Sequence, residues 1–266
     1  MEQHFNTPSE VIDTNMKAGE GKAHLPLGKM ILLGIMAGAF IALGGATSST
    51  AAHAIDNVGL ARFVAGIIFP VGLMIIVFVG GELFTGNCLI VMDVVGKKVT
   101  WFECIRNLIV VYFSNLIGAL IIDTLIYFSG NLDYTGGLLG AYAIKVAVGK
   151  VGISPLKGIT SGILCNILVC IAILMAVAAT DIVGKVWAIF FPIMAFVVGG
   201  FEHCVANMFY IPVGMMAAQN PVYVAKAQEA YGLTAEQIQG LTILHSLNNF
   251  CLLYTSPSPR DRTRSR

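Results

Sequence analysis

Two stretches of this chain interrupt a membrane-like helix in the same way. Val79-Gly80-Gly81-Glu82-Leu83-Phe84-Thr85-Gly86-Asn87 and Val198-Gly199-Gly200-Phe201-Glu202-His203-Cys204-Val205-Ala206-Asn207 each lie inside a long apolar run. Each puts a glycine pair, a carboxylate and an asparagine where a membrane helix should run unbroken. Lipid tolerates non-helical backbone only where protein buries it or a cavity wets it. A broken helix that recurs in both halves of a chain points to a solute path between them.

Composition supports a membrane setting. The chain is 56% hydrophobic and 12% charged, against about 25% charged in a soluble domain. Its apolar residues come in blocks of spanning length, about 20 residues each. The runs are continuous rather than alternating, which excludes a β-barrel. The expected fold class is therefore an all-α polytopic membrane protein. A net charge of +1 gives no basis for a nucleic-acid partner. The six cysteines (Cys88, Cys104, Cys165, Cys170, Cys204 and Cys251) form no spaced metal pair and read as small buried hydrophobes. No cofactor is expected. The stretch from Met1 to Pro26 is polar and helix-prone, so no cleavable signal peptide is expected there.

Six apolar segments follow. The first runs from Met30 to Ala54. The second starts near Ala61, contains Phe69-Pro70, breaks at Gly80-Gly81 and resumes from Gly86 to Val95. The third covers Trp101 to Phe128. A polar connector from Ser129 to Pro155 is expected to hold a short helix over Ala141 to Val148. The fourth segment covers Leu156 to Thr180. The fifth starts at Val186, contains Phe191-Pro192, breaks at Gly199-Gly200 and resumes to Met216. A second connector, Asn220 to Gln239, carries a helix-start signal at Thr234-Ala235-Glu236-Gln237. The sixth segment begins at Leu241 and fails after Leu253. Gly34-Ile35-Met36-Ala37-Gly38 in the first segment echoes Gly158-Ile159-Thr160-Ser161-Gly162 in the fourth, small-residue spacing that lets helices approach closely. Three segments repeated imply that the second copy is inverted, with repeats over about 27–128 and 156–253 of a single domain spanning 1–253.

The last thirteen residues, YTSPSPRDRTRSR, hold four of the 16 Lys+Arg residues and no apolar periodicity. They read as a disordered, non-native tail that truncates the sixth helix. Lys17, Lys22, Lys29, Lys97, Lys98 and Lys185 fall on one side of the bilayer; Arg62, Lys145, Lys150, Lys157 and Lys226 fall on the other. The short Lys97-Lys98 loop favours the first side, and with it the N-terminus, as cytoplasmic.

Ionisable groups within the apolar runs are few: Glu82, Glu202, His203 and Asp123. Glu82 and Glu202 sit at the helix breaks, where a carboxylate can accept from exposed backbone N–H groups. Asp123 is expected at the interface. His203 starts a half-helix and is the one side chain there that exchanges a proton near neutral pH. Thr85 occupies the matching place in the first half, with a hydroxyl able to bond an imidazole. Asn87, Asn166 and Asn207 are amides able to satisfy loosened backbone. Two half-helix N-termini around one point repel cations and favour small anions. Lys150, in the connector, is placed either to draw anions in or simply to snorkel.

These residues resemble the formate–nitrite transporter family. The resemblance rests on Gly81 to Asn87, on Gly162-Ile163-Leu164-Cys165-Asn166-Ile167-Leu168-Val169-Cys170 and on Gly200 to Met208, and it extends over roughly Pro8 to Phe250. It implies an aquaporin-like inverted repeat of three plus three helices, broken in the second and fifth. It also implies a homopentamer with one pore per protomer, carrying formate, nitrite or hydrosulfide across the inner membrane. His203 then resembles the central pore histidine and Thr85 the threonine that reaches it, with Glu202 and Asn207 as supporting partners. Lys150 resembles the vestibular lysine. Leu73 and Leu83 resemble the cytoplasmic constriction, and Phe69, Val169 and Phe196 the periplasmic one.

The expected function is a channel for small weak-acid anions, formate first. The anion would be concentrated by Lys150 and take a proton, directly or by way of His203 and water, before crossing the apolar rings as the neutral acid. Two other classes compete. An embedded enzyme would use Glu202 and His203 as acid and base, but no nucleophile or metal set accompanies them. A water- or glycerol-type pore would show paired Asn-Pro-Ala signatures, and neither Asn87 nor Asn207 is followed by proline.

Overall fold

The first helix has a start written in four residues. Thr7 and Glu10 form a capping box at the head of α1 (Pro8–Ala23). The computed structural model that gives this architecture describes residues 5–242. Ahead of α1, Asn6 donates from its backbone to the carbonyl of Ala178 (2.8 Å) and from Nδ2 to that of Val177 (2.7 Å). These bonds satisfy carbonyls left open at the end of a later helix.

The first half continues through α2 (Leu27–Ala52), α3 (Val58–Ile68) and α4 (Val71–Val79). After a four-residue break come α5 (Phe84–Asn87), a 3₁₀ turn (Cys88–Ile90) and α6 (Val91–Val95). A second capping box, Thr100 with Glu103, starts α7 (Trp101–Phe128). The connector then forms α8 (Tyr134–Val151), which leads to α9 (Pro155–Ala178). The second half proceeds through α10 (Ile182–Gly199), a break, and α11 (Cys204–Ala217). Two surface helices, α12 (Pro221–Tyr231) and α13 (Ala235–Gln239), close the described chain; α13 starts on the Thr234–Gln237 capping box read from the sequence.

Among the described residues, five helical stretches are long and apolar enough to cross a membrane: Leu27–Ala52, Val58–Val79, Trp101–Phe128, Pro155–Ala178 and Ile182–Gly199. The fold is all-α and polytopic. The two halves share the same order, a long helix followed by a broken one, as far as the second is described. The expectations for the sixth segment and the Arg-rich tail lie outside the described residues.

One expectation needs correction, and two details add to the reading. The connector helix is much longer than Ala141 to Val148. It follows a left-handed turn at Thr135, Gly136 and Gly137 (φ 56°, 63° and 85°). At Phe69-Pro70 both residues stay in the right-handed helical region and α3 and α4 run on as one span, Val58–Val79, with Gly72 N–H donating to Phe69 O (3.1 Å); Pro192 lies inside α10. Asp123 is fully buried in the protein, with no hydrogen-bond partner for either carboxylate oxygen.

Glycine sets how closely α2 and α7 approach. A Cβ on Gly38 would fall on the carbonyl of Asn115, and one on Gly118 would fall on the carbonyl of Ile35. Backbone cannot yield as a flexible side chain does. Gly118→Ala should therefore destabilise the protein by about 3 kcal/mol, the upper end for overpacking, read as a lowered melting temperature in detergent. An unchanged melting temperature would show that the two helices can separate freely.

At the end of α1, His24 bonds Glu20 O through Nδ1 (2.8 Å) and the Glu103 carboxylate through Nε2 (3.0 Å). Acceptors at both ring nitrogens hold this imidazole above its usual range, the backbone carbonyl of Glu20 contributing most.

Candidate functional site

Each break begins at a glycine in a conformation that side chains disfavour: Gly80 at φ 101° and Gly200 at φ 70°. The freed backbone is then satisfied by named partners. At the first break, Glu82 N–H donates to Leu33 O (3.1 Å). The Asn115 amide from α7 does the rest. Its Nδ2 donates to the carbonyls of Gly34 (2.7 Å) and Glu82 (2.9 Å), and its Oδ1 accepts from Phe84 N–H (3.0 Å). At the second break, Phe201 N–H donates to Phe196 O (3.1 Å) and Glu202 N–H to Ser161 Oγ (2.9 Å).

The half-helices that follow meet head to head. Thr85 lies in the first turn of α5 and His203 is the N-cap of α11, and Thr85 Oγ1 stands 3.1 Å from His203 Nε2. Both residues are buried. His203 Nδ1 accepts from Ala206 N–H (2.9 Å), which caps α11. A neutral ring that accepts at Nδ1 carries its hydrogen on Nε2, so Nε2–H donates to Thr85 Oγ1. The hydroxyl hydrogen of Thr85 is then free to serve another acceptor. Phe196 stacks on the imidazole (centroids 5.5 Å apart, planes at 17°), and Phe69 meets Phe196 edge to face at 5.6 Å.

Two ionic networks flank this pair, one from each half. Glu202 Oε2 accepts from Lys150 Nζ (2.9 Å) and from Asn207 Nδ2 (2.7 Å). Glu82 Oε2 accepts from Asn87 Nδ2 (2.6 Å), and Lys22 Nζ lies 3.4 Å from the same carboxylate and 2.8 Å from Asn87 Oδ1. Asn107 extends the first network, accepting from Asn87 (2.8 Å) and donating to Lys22 O (2.9 Å). The symmetry is inexact: the Lys22 side chain is 34% exposed and that of Lys150 only 17%.

A cavity of about 500 Å³ runs along α9 and reaches Thr85, His203, Glu202 and Asn207. Its wall is largely apolar and includes Cys88, Cys165, Cys170 and Cys204. Cys170 Sγ donates to Thr85 O (3.8 Å), holding the loop that presents the hydroxyl.

The structure thus gathers most of the residues singled out from the sequence. Thr85, His203, Glu202, Asn207 and Lys150 converge, and Glu82 with Asn87 mirrors them. Lys150 lies in the last turn of α8, ion-paired to Glu202. Asn166 lines the cavity, but its Oδ1 has no hydrogen-bond partner. Phe69, Leu73, Leu83, Val169 and Phe196 are all buried in one apolar cluster. Sequence reasoning missed Lys22, Asn107, Asn115, Ser161 and Cys170. One signal for Lys22 was present: like Lys150, it stands just ahead of the first helix of its half.

Comparison with known proteins gives the family. A family model described as "Formate/nitrite transporter" matches residues 9–251. A probable formate transporter of Methanothermobacter thermautotrophicus is 37% identical over 233 residues, covering 81% of this chain and 85% of that one. The formate channel FocA of Escherichia coli K12 is 32% identical over 246 residues, covering 91% and 85%. Among solved structures, a pentameric formate channel with formate bound superposes with a TM-score of 0.76 at 33% identity, covering 85% of this chain and 89% of that one. The chain belongs to the formate/nitrite transporter family.

Proposed function

We propose that this protein is an inner-membrane channel for small monovalent weak-acid anions, with formate as its main substrate and nitrite and hydrosulfide as lesser ones. The names of its relatives support formate, and the pentameric structural relative supports assembly as a homopentamer, in which we place one pore in each protomer. The N-terminus faces the cytoplasm, and the region 1–253 works as one channel domain.

The observation that carries this reading is the Thr85–His203 contact at the meeting of two half-helix N-termini. Positive helix ends draw an anion inward. The Thr85 hydroxyl, its oxygen engaged by Nε2–H, offers its hydrogen to that anion. Dehydration favours the neutral acid over the ion, so the substrate takes a proton that comes from solvent, directly or relayed through His203 and water with the ring reprotonated from solvent, and leaves past apolar side chains as the neutral acid. Phe69, Val169 and Phe196 form the barrier toward the periplasm, and Leu73 and Leu83 the barrier toward the cytoplasm. Asn166 supports the wall between them. Lys150 raises the local anion concentration and is held by Glu202.

Flux into liposomes containing the purified full chain tests this. Formate should enter fastest, nitrite and hydrosulfide more slowly, and glycerol at the rate of empty liposomes. Glycerol flux equal to formate flux would replace the reading with a neutral-solute pore.

A further inference from the structure

Lys150 is held by more than its carboxylate. Its ammonium lies 5.2 Å from the centroid of the Tyr210 ring. Tyr210 is on α11, seven residues beyond His203 and three beyond Asn207, so the three share one helix face. The face that caps the break therefore continues outward to an aromatic floor beneath the lysine.

The ring itself is fixed from another helix. Ser48 on α2 gives its hydroxyl hydrogen to Gly45 O (2.9 Å), so Tyr210 Oη, 3.4 Å away, is the donor to Ser48 Oγ. Phe209 packs at 5.3 Å, edge to face. Three elements thus converge on one ammonium: α8 supplies the lysine, the break before α11 the carboxylate, and α11 braced by α2 the ring. The mirror network lacks this floor. Among the described residues Lys22 has no ring beneath its ammonium, and its carboxylate contacts are longer at 3.4 Å.

We propose that Tyr210 is a positioning residue for anion entry. Its π face fixes the Lys150 ammonium against Glu202 and makes the Lys150 mouth of the pore the more tightly built of the two. The assignment rests on the transport reading above for its consequence, but not for its geometry. A ring attracts the cation without adding a negative charge. Without it, Lys150 swings away, and the Glu202 carboxylate faces incoming anions unneutralised.

Two substitutions separate the ring from the hydroxyl. Tyr210→Phe keeps the π face and loses the Ser48 bond; Tyr210→Leu loses both. The leucine variant should raise the half-saturating formate concentration in liposomes by about tenfold, the scale of a desolvated cation–π contact, with a smaller change in maximal rate. The phenylalanine variant should match the wild type. In a Lys150→Gln background, Tyr210→Leu should add nothing further. If the leucine variant does not fold, Tyr210→Met, whose flexible chain fills irregular gaps, replaces it.

A second readout needs no transport. Acylation of Lys150 by acetic anhydride, followed by mass spectrometry on the full chain, should be faster in Tyr210→Leu and unchanged in Tyr210→Phe. Wild-type acylation in the leucine variant overturns the proposal, as does a phenylalanine variant that behaves like leucine. Wild-type protein that carries no formate, yet shows this acylation pattern, would sink the transport reading and support the clamp.

Discussion

Glu202→Ala should remove about 3–5 kcal/mol of stability, the cost of stripping one partner from a buried ion pair, and reduce formate uptake to background. The side chains of Lys150 and Glu202 are 17% and 13% exposed, so little water stands in for a lost partner. Alanine leaves the Lys150 ammonium without its carboxylate and the Asn207 Nδ2 without its acceptor. It also loosens the residue that precedes His203. The mirror substitution, Glu82→Ala, should cost less on the ionic side. Lys22 is 34% exposed and 3.4 Å from its carboxylate, and water screens much of such a pair. Melting temperatures of the two purified variants check the ranking. Equal losses would mean that the two networks are energetically alike despite their different burial.

What the sequence made legible follows from what has a period. Glycine pairs interrupting apolar runs located both breaks to within a residue or two, because lipid leaves no other reason for them. Glu82 and Glu202 were expected to accept from exposed backbone N–H groups; they accept instead from Asn87 and Asn207, each five residues on, and from a lysine. Lys150 was singled out only as an anion-attracting or snorkelling residue and Lys22 only as a loop charge; their pairing with Glu202 and Glu82 was not legible, because both lie outside the apolar runs and are brought in by folding alone. Asn115 was hidden for another reason. A single amide in a long apolar helix gives no sign that it spans Gly34, Glu82 and Phe84 at once. The burial of Asp123 was hidden because its distance along a helix says nothing of which side it packs on. Its face, not its place near the end of α7, decides its burial.

Replacing His203 should divide its two roles. The ring caps α11 through Nδ1 and donates to Thr85 through Nε2. Asparagine also accepts well from the first turn of a helix, but it is too short to reach Thr85. His203→Asn should therefore keep the melting temperature and lose the bond to Thr85. His203→Leu should lose the cap as well, at about 1 kcal/mol. In liposomes, both should slow formate uptake at neutral pH by about tenfold, the scale of one lost hydrogen bond in the permeation step. The pH profile carries the sharper distinction. A second proton on the wild-type ring must settle on Nδ1, where it meets the Ala206 N–H as donor against donor. Acidification thus sets protonation of the ring against the cap of α11, and uptake gains a pH dependence beyond that of the substrate itself. An asparagine cannot take that proton, so the Asn variant should retain only the pH dependence of weak-acid supply. Thr85→Val, which leaves the imidazole intact, should slow uptake yet keep the wild-type profile. A His203→Asn profile that overlays the wild type would remove the imidazole from any proton-linked step and leave it as a helix cap with an apolar face.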